Sequence, residues 1–120
     1  MKILVVEDNA AMRAMIRLML AQPGDEVREC AEGAEALAAY AEFQPEWVTM
    51  DIQLGAADGF DVTSQITARF PSARVIILTQ HDSDGYRAAA VKAGAWAYVL
   101  KDNLADVRAC FRNPPNNLSL

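Results

Sequence analysis

Short runs of apolar residues alternate along this chain with longer stretches in which apolar residues recur every three or four positions. Ile3-Leu4-Val5-Val6, Trp47-Val48-Thr49-Met50, Val75-Ile76-Ile77-Leu78 and Ala97-Tyr98-Val99-Leu100 form nearly continuous apolar runs. Runs of this kind suit β-strands buried on both faces. Glu26-Val27-Arg28-Glu29-Cys30 mixes apolar and charged residues, which predicts an edge strand with one side in water.

Between the runs the spacing becomes helical. Residues 10–21 carry Met12, Met15, Ile16 and Met19, with Asn9 as N-cap and the methionine stripe expected in the core. Residues 34–42 place Leu37, Tyr40 and Ala41 on one face. Val62, Ile66 and Phe70 recur every four residues in a third helix. Tyr86, Ala89, Ala90 and Ala93 line a fourth, capped by Asp82, Ser83 or Asp84 and stopped by Gly94. Asn103 is the expected cap of a last helix with Leu104, Val107 and Phe111 inward, ended by Pro114-Pro115.

Strand and helix therefore alternate five times. Right-handed crossovers then give an α/β fold with helices on both faces of a parallel sheet. An edge-like second strand beside a very apolar first one predicts the flavodoxin-like (βα)5 doubly wound sheet, strand order 2-1-3-4-5. Residues 1–112 make one domain, and 113–120 read as a tail or the start of a linker. Ligands of such sheets bind beyond the carboxyl ends of the strands, at the switch point between the first and third.

Polar residues stand at those ends. Glu7-Asp8 follow the first strand, Asp51 the third, Thr79 closes the fourth and Lys101 follows the fifth. Three clustered carboxylates repel unless a cation joins them. Mg²⁺ takes oxygen ligands, one or two of them carboxylates, together with phosphate oxygens. Asp8 and Asp51 are the expected direct ligands, with Glu7 holding a metal-bound water and the Gln53 backbone carbonyl as a further ligand. Lys101 offers a fixed positive charge and Thr79 a hydroxyl to a phosphoryl group. The set suits phosphoryl transfer to a carboxylate nucleophile.

Composition narrows the partners. Among 120 residues, sixteen acids outnumber eleven Lys and Arg, for a formal charge of −5. A duplex-binding surface needs a basic stripe, so direct nucleic-acid binding is not expected. No apolar run approaches the ~20 residues of a membrane helix, and the N-terminus lacks the features of a secretory signal, so the expected location is the cytoplasm, with no membrane partner. Cys30 and Cys110, far apart in sequence, read as small core residues.

The stretches LVVEDN, VTMDIQLGAADGF, VIILTQHDSD and KAGAWAYVLKDN, in this order on these strands, resemble the response-regulator receiver family over residues 2–112. KAGAWAYVLKDN is most similar to receivers that precede a LuxR-type helix-turn-helix. The resemblance implies a phosphoacceptor at Asp51, Mg²⁺ held by Glu7 and Asp8, phosphoryl contacts from Thr79 and Lys101, and a rotameric switch at Tyr98. It also implies a sensor histidine kinase or phosphotransfer protein as phosphodonor. It implies homodimerisation or output control through the face of the fourth helix, fifth strand and fifth helix, in a stand-alone receiver or a transcriptional regulator. Such a domain is a switch that catalyses its own phosphorylation and slow dephosphorylation, not an enzyme in the usual sense.

Several positions depart from the family pattern. Leu54-Gly55 replaces a common Met-Pro, and the glycine is expected to loosen that loop. Gln80 replaces a small residue and is expected to narrow the route to Asp51. Gln53 and His81 flank the site and are expected to tune phosphoryl lifetime. Asp102 stands where many receivers have a proline after a cis bond, which leaves that loop's geometry open. Three rival classes fit less well, one of them a non-phosphorylated pseudo-receiver, against which the presence of all the chemical residues speaks. An Asp-nucleophile hydrolase of the haloacid-dehalogenase class would carry a second Asp where Gln53 stands, and a dinucleotide-binding enzyme would carry a glycine loop after a strand.

Overall fold

The computed structural model describes residues 1–112, so the expected tail at 113–120 lies outside the described residues. In chain order the elements are β1 (Lys2–Val6), α1 (Ala10–Leu20), β2 (Glu26–Cys30), α2 (Gly33–Phe43), β3 (Trp47–Met50), β4 (Gln53–Leu54), β5 (Ala57–Asp58), α3 (Gly59–Arg69), β6 (Val75–Thr79), α4 (Asp84–Ala93), β7 (Ala97–Leu100), a 3₁₀ turn (Lys101–Asn103) and α5 (Leu104–Arg112). Five strands form one parallel sheet in the order β2-β1-β3-β6-β7. Counted within the sheet, this is the expected 2-1-3-4-5 order. β2 is an edge, with Glu26 and Glu29 exposed and Cys30 turned inward.

Successive strand residues face opposite sides of the sheet, and this divides the core in two. Leu4, Val6, Val48, Met50 and Ile77 pack under α2, α3 and α4 with Ala36, Tyr40, Val62 and Ile66. Ile3, Val5, Ile76 and Leu78 pack under α1 and α5 with Ile16, Leu20, Leu104 and Val107. The Trp47 indole joins the second layer against Phe111 at 5.1 Å and, edge-on, Trp96 at 6.3 Å.

Side chains cap the starts of α1, α3 and α4. Asn9 accepts the Met12 N–H at 2.8 Å, Asp58 the Phe60 N–H at 2.7 Å and Ser83 the Tyr86 N–H at 3.2 Å. Gly94 closes α4 at φ +88°, the left-handed conformation glycine adopts freely.

Four local expectations are corrected. Met15 and Met19 are exposed; Ile16 is buried as its spacing predicts, Leu20 joins it inward, and Met12 packs at the margin. Ala41 is exposed, and the buried face of α2 is Gly33, Ala36 and Tyr40. The chain enters α5 through the 3₁₀ turn over Lys101–Asn103 rather than at an Asn103 cap. Cys110 is half-buried, while Cys30 is buried as expected.

Candidate functional site

The carboxyl ends of β1, β3, β6 and β7 bring together residues from four distant parts of the chain. Register does this. Val6 pairs with Met50, and Thr79 pairs with Leu100, so Glu7, Asp51 and Lys101 each sit one step beyond a paired strand end. The Asp51 N–H donates to the Val6 carbonyl at 3.0 Å, which carries the ladder up to the site. The residues enclose a cleft of about 210 Å³ lined by Glu7, Asp8, Asp51, Gln53, Thr79 and Lys101, with exposed Gln80 and His81 beside them.

Carboxylate oxygens of Glu7, Asp8 and Asp51 lie within 4.8 Å of one another. Glu7 and Asp51 are buried and Asp8 is exposed. The Lys101 ammonium bridges the buried pair, 2.9 Å from Glu7 Oε1 and 3.2 Å from Asp51 Oδ1. Burial pushes the Glu7 carboxyl above the usual range, against the pull of Lys101 and the Asn9 N–H, while the nearby Asp51 charge pushes it further up. Burial alone would lower the Lys101 ammonium, but the Glu7 contact and the charge of Asp51 outweigh it and hold its pKa above the ordinary lysine value. Three clustered carboxylates form an all-oxygen donor set that fits a small hard divalent cation. Exposed Asp8 leaves that set open to solvent on one side.

Asp51 is fixed through its own backbone neighbours. Its Oδ1 accepts the Ile52 N–H at 2.9 Å. Glu7 Oε2 accepts the Asn9 N–H at 3.1 Å. Arg13, one turn into α1, donates to the carbonyls of Glu7 and Asp8 at 2.9 and 3.2 Å and pairs with Glu29 at 3.2 Å. This pinning of the acid loop was not anticipated. The available signal was an arginine in the first turns of a helix that follows two acids, a pattern that also fits an exposed helix residue.

Thr79 is buried and its Oγ1 accepts the His81 N–H at 3.2 Å. The Tyr98 ring is buried too, and its hydroxyl donates to the His81 carbonyl at 2.5 Å. One peptide segment thus links the two residues. Burial raises the Tyr98 phenol above its ordinary pKa, with Arg87 opposing. The His81 side chain is exposed and meets Tyr86 edge-on at 5.5 Å.

The loop after Asp51 is not loose. β4 and β5 pair as an antiparallel hairpin, Gln53 with Asp58 and Leu54 with Ala57. Gly55 turns it at φ +65°. Two-residue hairpin loops with a glycine first at positive φ match the twist of their strands, and proline is locked at negative φ. The glycine here therefore supplies a positive φ that proline cannot adopt. Every described peptide bond is trans, Lys101–Asp102 included.

The family model for the response regulator receiver domain matches residues 3–110. The chain is 36% identical over 107 residues to the chemotaxis protein CheY of Listeria monocytogenes, covering 88% of this chain and 90% of that one. It is 33% identical over 117 residues to the response regulator MprA of Mycobacterium avium, covering 93% of this chain but 51% of that protein. Among solved structures it resembles a LuxR-family two-component response regulator from Aurantimonas sp. SI85-9A1, with a TM-score of 0.84 and 32% identity over 92% of this chain and 81% of that one. The chain belongs to the response-regulator receiver domains of two-component signalling. Among the described residues no helix is long and apolar enough to cross a membrane.

Proposed function

We propose that this receiver accepts a phosphoryl group on Asp51 from a sensor histidine kinase or phosphotransfer protein, and that the modification shifts the face formed by α4, β7 and α5. One observation carries this reading. The Lys101 ammonium lies within 3.2 Å of Asp51 and within 2.9 Å of Glu7, at the floor of a cleft that also holds Asp8 and Thr79.

In the transfer, an Asp51 Oδ forms the new P–O bond as the P–N bond of the donor phosphohistidine breaks. The electron pair returns to the imidazole. Lys101 balances the charge that collects on the equatorial oxygens, exchanging part of its contact with Asp51 for one with the phosphoryl group. Asp8, Asp51 and the Gln53 carbonyl would hold Mg²⁺, with Glu7 on a bound water. When bound, that ion neutralises the acid cluster and the incoming phosphoryl charge. Thr79 Oγ1 then turns from the His81 N–H to the phosphoryl group. Tyr98 settles behind it and biases the face between two populated states.

A docking route is available beside α1. A groove lined by Asn9, Ala11, Met12, Met15, Gln80 and Lys101 adjoins the cleft, and Met15, Leu18 and Met19 are exposed. An apolar patch of this kind fits a partner helix. Control of a homodimer or of an output domain by the α4–β7–α5 face fits exposed Val91 on α4. Gln53 and His81 would set phosphoryl lifetime by ordering or excluding the attacking water, so exchanging either should change the dephosphorylation rate.

The test is incubation with Mg²⁺ and a phosphodonor, followed by mapping of the label. A base-labile acyl phosphate on Asp51 supports the reading, and label on another residue, or none, refutes it.

A further inference from the structure

The Tyr98 ring carries a cation on its face. The Arg87 guanidinium carbon, on α4, stands 4.5 Å from the ring centroid. Arg87 is itself tied down, because its Nε and Nη2 donate to Asp82 Oδ1 at 3.3 and 3.2 Å. Asp82 directly follows His81, whose carbonyl receives the Tyr98 hydroxyl. The ring is therefore held at its hydroxyl by the backbone of one loop and on its face by a side chain anchored to the same loop.

We propose that Arg87, tethered by Asp82, is a positioning residue that holds Tyr98 inward before any phosphoryl group arrives. It thereby sets the resting balance of the α4–β7 face. This rests on the reading of Tyr98 as the switch. Swinging the ring outward breaks the hydroxyl bond to His81. It also separates ring and cation, since Asp82 keeps Arg87 at the loop. The guanidinium suits both contacts: its carbon stands over the ring while two of its nitrogens share one carboxylate oxygen, which a compact ammonium does less well. The Arg87 side chain is 29% exposed, so the contact has the strength of a partly solvated one. A contact of that kind shifts a two-state balance roughly two- to fivefold. A ring already biased inward reduces the further shift that phosphorylation must supply.

The test is ¹⁹F NMR on the full chain carrying 3-fluorotyrosine, with the Tyr98 signal assigned by Tyr98→Phe. Wild type, Arg87→Leu, Arg87→Lys and Asp82→Asn are compared without a phosphodonor, and then with Mg²⁺ and beryllium fluoride as phosphoryl mimic. Thermal melting verifies that each variant is folded. Arg87→Leu should raise the outward share of Tyr98 roughly two- to fivefold, with Asp82→Asn moving it less and Arg87→Lys partly restoring the inward state. Beryllium fluoride should return every variant to the inward signal. An identical Tyr98 signal in Arg87→Leu and wild type overturns the proposal, even where beryllium fluoride moves the ring. If Arg87→Leu shifts the ring but beryllium fluoride does not return it, the clamp stands and the switch reading of Tyr98 falls.

Discussion

Asp51 and Gly59 are in backbone contact: a β carbon on Gly59 would stand 2.0 Å from the Asp51 carbonyl oxygen. The Gly59 N–H meanwhile donates to the Ile52 carbonyl at 2.7 Å, so α3 begins by clasping the loop that carries the acceptor. A side chain there meets backbone, which cannot swing aside. Gly59→Ala should cost about 1–3 kcal/mol, as overpacking does, and should slow phosphorylation by displacing Asp51. Gly55→Ala is the comparison. It has open space around the site but φ +65°, so it should lose about 1–2 kcal/mol through conformation alone. Urea denaturation and labelling rates measured side by side separate the two. An unchanged rate in folded Gly59→Ala would refute the positional argument.

Gln80 is exposed and lines both the cleft and the groove beside α1. Shortening it should open the route to Asp51. Gln80→Ala is expected to be phosphorylated faster than wild type by a small donor such as acetyl phosphate. Equal rates in the two proteins would remove Gln80 from the account.

Mg²⁺ should stabilise the fold through Asp8. A ligand present at tenfold its Kd adds about 1.4 kcal/mol to a site that exists only in the native state, enough to raise the melting temperature measurably. Asp8→Asn removes one of the three clustered carboxylates, and its Mg²⁺-dependent shift should shrink or vanish. A full shift in that variant would place the ion elsewhere.

Stability should also report the edge-strand acids. The Arg17 guanidinium, 2.6 Å away, holds the Glu29 carboxyl below its usual range, against the effect of burial and with help from Arg13. A carboxyl whose pKa is lower folded than unfolded adds stability that is present above the unfolded value and is lost as pH falls through the folded one. Glu29→Gln should therefore be less stable than wild type at neutral pH, by less than about 1 kcal/mol for so exposed a pair. The gap should close as the pH drops below about 4.5, the ordinary value for this group. Denaturation midpoints across that range check it, and a gap independent of pH would exclude the ion pair as its source.

The sheet was legible in the sequence because strands buried on both faces leave continuous apolar runs, and the charges of Glu26 and Glu29 marked β2 as an edge. The rim was legible for the same reason, since Glu7, Asp51, Thr79 and Lys101 each close or follow such a run. The inward face of α1 was not legible. Met12, Met15, Ile16, Leu18, Met19 and Leu20 are apolar around much of the helix, so spacing alone selects no stripe, and contact with β1 and α5 decides for Ile16 and Leu20. β4 and β5 hold two residues each, too few for an alternating pattern. The Arg13, Gly59 and Arg87 contacts depend on how loops and helices approach one another in space, which local spacing does not encode.

Asp51 is the residue on which the account depends. Intact-mass measurement of wild type and Asp51→Asn, each incubated with Mg²⁺ and the same phosphodonor, tests it most directly. Wild type should gain one base-labile phosphoryl group and the variant none; an equal gain in both proteins would contradict the assignment.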